Sequence, residues 1–229
     1  MAAIRIIGPG RAGRSLARAL SDVGWTVLPL LGRDDDPADA ASGADAVVLA
    51  VPDDAISEVA AAVRSDPSTP VVHLAGSLGL GALAPHARRA ALHPLVALPD
   101  PEIGARRLVS GVTFAVAGDP LATAIATALG GATVHVPDDA RPAYHAAACV
   151  AANHVVALLG QVERIACAAG LTLEAFLPLA RAAVEDAGRV GPRRALTGPA
   201  VRGDWETLAR HLEAIPEGER AAYRAGVGL

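Results

Sequence analysis

Short apolar runs alternate with helical patterns through the first 137 residues of the chain. The runs cover residues 4–8, 26–31, 46–51, 71–75, 112–116 and 133–136. Their apolarity is continuous rather than alternating, which is typical of strands that are covered on both faces. Helices between such strands form parallel crossovers. The pattern therefore predicts an α/β fold with a doubly wound, mostly parallel sheet over residues 1–137.

The pattern changes after residue 137. Long Ala- and Leu-rich helical segments follow, and none of them resembles a strand; they cover residues 141–169, 172–188 and 204–214. Gly170 and Gly188 stand where helices would end, and Asp204 can cap the last helix. We predict an all-helical second domain over residues 138–229, with a loop at "VGPRRALTGPAVRG".

The most apolar stretch of this second domain is "AYHAAACVAANHVVALLG". It contains His145, Asn153 and His154 within about the length of a bilayer span, which favours a buried core helix over a transmembrane one. The net charge of −4 offers no electrostatic argument for nucleic acid or a membrane surface. The first residues lack the pattern of an export signal. We expect a cytoplasmic protein that acts on a small molecule.

The segment "IRIIGPGRAGRSLARAL" places three glycines between the first strand and a helix. Gly8, Gly10 and Gly13 match G-x-G-x-x-G, in which the glycines permit the turn, the approach of a pyrophosphate and close packing of helix on strand. Arg11 and Ala12 lie inside the same turn. A tight turn that binds nothing is the alternative.

The residue after the second strand decides between the two nicotinamide dinucleotides. An acidic residue there would bind the ribose of NAD, and an arginine would bind the 2′-phosphate of NADP. Arg33, together with Arg11, favours NADP; the alternative is that Asp34 binds the ribose and Arg33 is a solvated charge. The backbone of Val51 and Pro52, at the end of "DAVVLAVPD", is expected to line the cofactor.

The sequence also resembles a known family. The glycine turn, "AVPD" and the Ala-rich helical half resemble the superfamily of β-hydroxyacid dehydrogenases, pyrroline-5-carboxylate reductases and ketopantoate reductases. More closely, "VVHLAGSLGL", "LHPLVAL", "YHAAACVAANHVVAL" and "LTGPAVRGDWETLARHL" resemble bacterial Rossmann-like proteins with a C-terminal domain of unknown function, family 2520. The resemblance implies an NADP-type cofactor and a homodimer built through the helical domain.

The sequence departs from that superfamily at one position. Ketopantoate reductases and hydroxyisobutyrate dehydrogenases use a lysine and an asparagine four residues apart, and this chain has Cys149 and Asn153 at that spacing. A thiol cannot supply the cation that polarises the substrate oxygen. A reaction copied from those enzymes is therefore not implied.

His93, in "LHPL", is the first candidate for the group that moves a proton during hydride transfer. The His-Pro pair resembles the motif that carries the catalytic histidine of prephenate dehydrogenases; a structural loop histidine is the alternative. His73 and Ser77, in "HLAGSLG", could orient the substrate or the nicotinamide. "AGSLG" also comes close to a nucleophile elbow, which would make Ser77 the nucleophile of a serine hydrolase, although Ala75 replaces the first glycine.

The helical domain offers further candidates. His145, Cys149 and Asn153 share a helical face at i, i+4 and i+8, so that Asn153 and His145 could contact the reacting group. The alternative is a dimer-interface helix. Arg202 could bind a substrate carboxylate, with His211 on the helix that follows.

Taken together, these residues predict an NADP-dependent oxidoreductase that acts on a small carbonyl, hydroxy-acid or imine substrate. The alternative from another class is a dimeric protein that binds NADP(H) without turnover, as a sensor or scaffold. Convergence of His93, Asn153 and His145 would favour the enzyme.

Overall fold

The computed structural model describes residues 2–228, which divide into two compact units. The first, called the sheet unit, is Met1–Cys149, and the second, called the helical unit, is Val150–Leu229. The predicted boundary after residue 137 marks the end of the last strand. The first helix beyond it belongs to the sheet unit, because its side chains contact the loops of the sheet.

The sheet unit contains one seven-stranded sheet in the order β2-β1-β3-β4-β5-β6-β7. The strands are β1 Ala3–Ile7, β2 Thr26–Val27, β3 Ala46–Leu49, β4 Val71–His73, β5 Arg89–Pro94, β6 Thr113–Gly118 and β7 Ala132–His135. β1 to β5 are parallel to one another, whereas β6 is antiparallel to β5 and parallel to β7. The carboxyl ends of the first five strands therefore meet at one edge.

Helices cover both faces of this sheet. They are α1 Arg11–Asp22, α2 Ile56–Ala62, α3 Pro101–Leu108 and α4 Leu121–Ala128. The unit also contains α5 Arg141–Cys149 and short 3₁₀ turns at Asp53–Ala55, Leu80–Leu83 and Asp138–Ala140. On one face, Ile4 and Ile6 pack with Leu16 of α1 and Ile125 of α4. On the other face, a second cluster includes Ile56 of α2. The predicted doubly wound α/β fold is confirmed.

The helical unit begins with a π-helical turn at Val150–His154. Its helices are α6 Val155–Ala168, α7 Leu177–Val190, α8 Pro192–Ala195, α9 Pro199–Arg202, α10 Trp205–Ala214 and α11 Arg220–Val227, with 3₁₀ turns at Leu173–Ala175 and Glu217–Glu219. Asp204 caps α10 as expected, since its carboxylate accepts from the Thr207 backbone N–H at 3.1 Å. Among the described residues of this unit, no strand is present.

Two local predictions in the helical unit are wrong. Gly188 does not end a helix, because α7 continues to Val190 and stops at Gly191, where φ is +85° and Pro192 follows. A positive φ favours glycine, and a proline cannot donate to the preceding turn. The segment 190–203, expected to be a loop, contains the short helices α8 and α9.

The apolar helical stretch Asp138–Ala168 is not the buried core helix that its composition predicted. It is 31 residues long with a mean hydropathy of 1.3 in its most apolar window, which is enough to cross a membrane by length and composition alone, and none of that window is buried. Val156 is 69 % exposed and Leu158 is 55 % exposed. Apolarity predicts that such a helix tends to be buried, but it does not predict what buries it.

Candidate active site

The glycine turn has the geometry that the sequence motif requires. Gly8 has a φ of +107°, and a Cβ there would lie 2.5 Å from the Ala50 carbonyl oxygen at the end of β3. A Cβ on Gly13 would lie 2.0 Å from the Gly8 carbonyl oxygen. A Cβ on Gly10 would meet nothing within 4 Å, so that this residue leaves backbone open to a ligand.

An open cleft of about 690 Å³ begins at this turn. The predicted cofactor residues Gly8, Gly10, Arg33, Val51 and Pro52 all line it. The start of α1 faces the same turn without a side-chain cap and without an acidic residue in its first turn. Uncapped N–H groups at a helix start are suited to a phosphate.

The cleft also contains a carboxylate beside Arg33. Asp35, rather than Asp34, lines the cleft, and its Oδ2 accepts from the Gly32 N–H at 2.7 Å. Asp54 and Glu58 contribute further carboxylates. Arg33 is exposed, so it could approach a 2′-phosphate. The carboxylates of the same cleft would repel that phosphate.

The other predicted cofactor residues lie next to the cleft. Arg11 and Ala12 form the first turn of α1, directly after Gly10. The Ser77 hydroxyl donates to Asp53 Oδ2 at 2.9 Å, and Asp53 stands between the cleft residues Pro52 and Asp54. Because the partner of Ser77 is this carboxylate and not a histidine base, the contact that a serine hydrolase needs is not the one that Ser77 makes.

A group of polar side chains surrounds the loop 74–79 at the carboxyl edge of the sheet. His93 is the fifth residue of β5, which lies beside β4, and the loop follows β4. The Nδ1 atom of His93 is 2.6 Å from the Tyr144 hydroxyl of α5. The rings of His93 and His145 meet edge to face, with centroids 5.6 Å apart.

The rings of both histidines lie against the backbone of Gly76. A Cβ at this residue would lie 2.3 Å from His145 Nδ1 and 3.0 Å from His93 Nε2. The two ring nitrogens therefore lie close together against the Gly76 backbone, a packing that a side chain at this residue would prevent. His145 Nδ1 is buried and has no hydrogen-bond partner among the described residues.

Burial controls the charge of the histidines. It lowers the pKa of His93 to about 4, helped by the neighbouring His145 and by Arg141. Burial and Arg141 likewise lower the pKa of His73, at the end of β4, to about 4. Burial raises the pKa of Tyr144, against an opposing effect of Arg141. At neutral pH these imidazoles and the phenol are uncharged.

Arg141 is the functional candidate that the sequence did not reveal. Its side chain is completely buried at the start of α5, and burial lowers its pKa. Its contacts are long: Nη1 lies 3.4 Å from the Ala75 carbonyl oxygen and Nε lies 3.8 Å from Asp138 Oδ1. Asp138 Oδ2 also accepts from the Leu80 N–H at 2.9 Å, so that both charges contact the loop after β4.

Of the shared helical face predicted for His145, Cys149 and Asn153, the structure shows the contact between the first two. Cys149 Sγ lies 3.6 Å from His145 Nε2, as residues four apart in an α-helix should. Asn153 lies in the π-helical turn Val150–His154, where bonds run from i to i+5. Asn153 belongs to the helical unit, and its place on this face stays a prediction.

The predicted substrate residues Arg202 and His211 also lie in the helical unit. Arg202 ends α9 and is exposed. His211 of α10 has its Nδ1 atom 2.6 Å from the Tyr223 hydroxyl of α11. Their roles remain predictions.

Family models match most of the chain. A Rossmann-like domain matches residues 33–99, and a domain of unknown function, DUF2520, matches residues 109–227, which is more than half of the chain. The chain belongs to the DUF2520 family. The predicted family resemblance is thereby confirmed. A search of curated protein sequences finds no significant match to this DUF2520 member.

Solved structures share the fold of this DUF2520 protein. A Bacteroides fragilis protein, BF3122, provisionally assigned as an NADP oxidoreductase, is 19% identical, with a TM-score of 0.83 over 99% of this chain and 96% of that one. An imine reductase from Streptomyces aurantiacus is 19% identical, with a TM-score of 0.66 over 99% and 88%. The Plasmodium falciparum pyrroline carboxylate reductase with NADP bound is 14% identical, with a TM-score of 0.65 over 99% and 96%.

Proposed function

We propose that the protein is an NADP(H)-dependent oxidoreductase that reduces a carbonyl or imine group of a small molecule. The observation that carries this proposal is the meeting of His93 Nε2 and His145 Nδ1 beside the Gly76 backbone, at the carboxyl edge of the sheet. The glycine turn and this position lie at the same edge of the sheet, because β1 and β5 are parallel through β3 and β4. Three strand spacings, about 14 Å, separate β1 from β5, which carries His93, and an extended dinucleotide can cover that distance.

The residues present fit a dinucleotide. The uncapped start of α1 would hold the pyrophosphate, and the cleft beside Val51 and Pro52 would hold the remainder. When bound, the nicotinamide supplies the hydride. The structures of an imine reductase and of an NADP-bound pyrroline carboxylate reductase, which share this fold, favour the same chemistry.

The two histidines would act on the atom that gains electron density. Hydrogens on His93 Nε2 and His145 Nδ1, which lie close to each other, could bind a carbonyl oxygen or an imine nitrogen as charge develops on it. His93 would then give up its proton to that atom. This arrangement replaces the lysine of related dehydrogenases with two imidazoles.

Cofactor binding is the first test. In a Trp205→Phe variant, Trp25 alone reports on the sheet unit, so that NADPH and NADH can be titrated by its fluorescence. Gly10→Val is expected to abolish binding with an unchanged circular dichroism spectrum, since nothing lies within 4 Å of the added Cβ. Gly81→Val, also free of neighbours within 4 Å, is the control. Equal affinity in the Gly10 variant would refute the cofactor site.

Cofactor choice is the second test. Arg33→Ala is expected to weaken NADPH binding roughly tenfold or more, as for loss of a charged hydrogen bond, and to leave NADH binding nearly unchanged. Equal losses for both dinucleotides would remove Arg33 from the 2′-phosphate site. An initial preference for NADH would assign the ribose to Asp35 instead.

The proton role of His93 needs a turnover assay. His93→Ala is expected to abolish reduction of keto acids or cyclic imines while NADPH affinity is kept. Binding of NADPH with no turnover on any such compound, and no effect of the variant, would favour the alternative of a sensor or scaffold.

We also propose that the helical unit forms a homodimer with a second copy. Large apolar side chains are exposed throughout it, namely Val150, Val155, Val156, Leu158, Leu171, Leu179, Val184, Leu196, Val201 and Trp205. Patches of this kind in soluble proteins mark interaction sites. His145, Asn153 and His154 in the same apolar stretch favour a protein partner over lipid, because polar groups are costly in a bilayer.

Sedimentation equilibrium is expected to give a dimer, and Val156→Glu is expected to give a monomer that still binds NADPH. Binding of the purified protein to liposomes in a flotation assay, without dimerisation, would refute this partner. A cytoplasmic location remains part of the proposal.

A further inference from the structure

Arg141 raises a question that the proposed reaction does not answer. A completely buried guanidinium is costly unless good partners surround it. The Nη2 atom has no hydrogen-bond partner among the described residues, and the contacts to Ala75 and Asp138 are 3.4 Å and 3.8 Å long. The nearest full negative charge, on Asp138, is half exposed. This charge is therefore incompletely compensated.

Tyr144 follows Arg141 by three residues on α5, so that the two side chains share a helical face. The electrostatic influence is mutual: Arg141 opposes the rise in the pKa of Tyr144, and Tyr144 opposes the fall in the pKa of Arg141. A guanidinium in this position stabilises a phenolate more than a phenol. If Tyr144 became a phenolate transiently, it would supply the negative charge that Arg141 lacks.

The hydrogen bond between Tyr144 and His93 fixes the direction in which a proton can move. Its length of 2.6 Å is short for an O–H···N contact. With both groups uncharged at neutral pH, the phenol can donate to Nδ1, an arrangement that places the ring hydrogen of His93 on Nε2. That is the nitrogen that faces Gly76.

We propose that Tyr144 supplies a proton through His93 to the substrate, and that Arg141 holds the negative charge that this leaves behind. This inference rests on the proposed reductase. As hydride from NADPH reaches the carbon, the C=O or C=N π bond breaks and its electron pair moves to oxygen or nitrogen. The Nε2–H bond of His93 breaks and the proton joins that atom. The Tyr144 O–H proton passes to Nδ1. After the product leaves, that proton returns to the phenolate and solvent protonates Nε2, which restores the starting tautomer.

The chain has only two tyrosines, which makes the ionisation of Tyr144 directly measurable. In a Tyr223→Phe background, absorbance near 295 nm follows Tyr144 alone, over the pH range in which circular dichroism is constant. Replacing Arg141 with Met is expected to raise the midpoint by about one pH unit or more. Arg141→Lys loses the same guanidinium contacts but keeps the charge, so its midpoint should stay near that of the parent.

The charged and titratable groups that face the pair are Arg141, His145, His73 and Asp53. A His73→Gln variant in the same background shows whether His73 contributes to the midpoint. If the Met and Lys variants of Arg141 titrate alike, the charge of Arg141 does not act on Tyr144 and the proposal is wrong.

The tautomer of His93 is the second readout, and it needs no turnover. Long-range ¹H–¹⁵N correlation spectra should show Nε2 protonated and Nδ1 bare, and Tyr144→Phe should change the Nδ1 shift. The reverse tautomer would overturn the proposal, because the phenol would then accept and could not supply a proton.

With a reducible substrate, Tyr144→Phe is expected to lower the rate of reduction roughly 10- to 100-fold while the Kd for NADPH stays constant. An unchanged rate would overturn the relay even with the expected tautomer. Absence of NADPH binding in the parent protein would refute the proposed function, and it would leave the titration and tautomer results to be judged separately.

Discussion

The sheet unit and the helical unit differ in how they bury apolar surface. In the sheet unit, strands with no exposed surface, such as β3, lie between two clusters of buried side chains, one on each face. In the helical unit, buried residues among those described are limited to Gln161, Ala166, Leu208 and Ile215. Burial of apolar surface is the main force that opposes chain entropy. The first unit thus has an extensive buried core of its own, whereas the second, by itself, has few buried side chains to stabilise it.

The largest expected effect is in the sheet core. Phe114 of β6 is completely buried, and its ring packs against the backbone of Gly131. Phe114→Ala is expected to lower the free energy of unfolding by roughly 3–5 kcal/mol in urea titrations. Val134→Ala on the neighbouring β7, where the side chain is 42 % exposed, is the control. A loss below 1 kcal/mol for the Phe114 variant would contradict an extensive buried core in the sheet unit.

A fall in pH is expected to destabilise the sheet unit before the helical unit. His73 and His93 have pKa values of about 4 in the folded chain, against about 6.5 when unfolded. The unfolded state therefore binds more protons as the pH falls below 6.5, and stability is lost down to about pH 4. At pH 5 each histidine should cost on the order of 2 kcal/mol relative to pH 7.

The measurement is urea unfolding at pH 7 and pH 5, with Trp25 reporting on the sheet unit and Trp205 on the helical unit in single-tryptophan variants. His93→Gln should reduce the dependence on pH by about half of the histidine contribution. Arg141, His145, Asp53 and Asp138 surround the two imidazoles and remain in place. If the variant keeps the full pH dependence, His93 is not held neutral by burial.

A smaller effect is expected from the helix cap in the helical unit. Asp204→Ala removes the bond to the Thr207 N–H at the start of α10 and should cost about 1 kcal/mol. Asp204→Asn keeps an acceptor and should cost less. In the Asp204→Ala variant, faster hydrogen exchange confined to α10 would show that the helical unit opens separately. Equal loss of protection in the sheet would mean that the two units unfold together.

The smallest effect on unfolding of the single chain is expected at Leu179 of α7, which is 70 % exposed. Leu179→Ala should change stability by less than about 0.5 kcal/mol at low protein concentration. If a second copy covers this face, the same variant should weaken dimerisation measured by sedimentation. A large loss at low concentration, where the chain is monomeric, would mean that Leu179 is buried within one chain.

The sequence predicts the sheet better than the site. Continuous apolar runs identify β1 and β3 because period and burial are local properties of the chain. β5 begins at an arginine and is weaker as a pattern, yet His93 within it was found from the His-Pro pair. The glycine turn was found because its spacing encodes its geometry.

What the sequence could not predict depends on contacts between distant residues. The complete burial of Arg141 follows from packing against the loop after β4, and nothing in "DDARPAYH" distinguishes it from an exposed arginine. The π-helical turn that contains Asn153 has no signal in "VAANH" that separates it from a regular α-helix. The end of α7 is predicted at the wrong glycine because either Gly188 or Gly191 could end a helix. Only Gly191 has the positive φ that ends this one.

The reversed direction of β6 has a consequence for how the molecule could be altered. Pro94 of β5 pairs with Phe114 near the start of β6, so that beyond His93 the edge of the sheet presents the amino end of a strand. Ligands of parallel sheets approach the carboxyl ends. β6, α4 and β7 thus form a supporting segment, here called the buttress, that pairs with the strand of His93 and does not face the carboxyl edge of β1 to β5. A designer could recode or circularly permute this buttress to change the durability of the protein, while changes in selectivity would have to be made among β1 to β5.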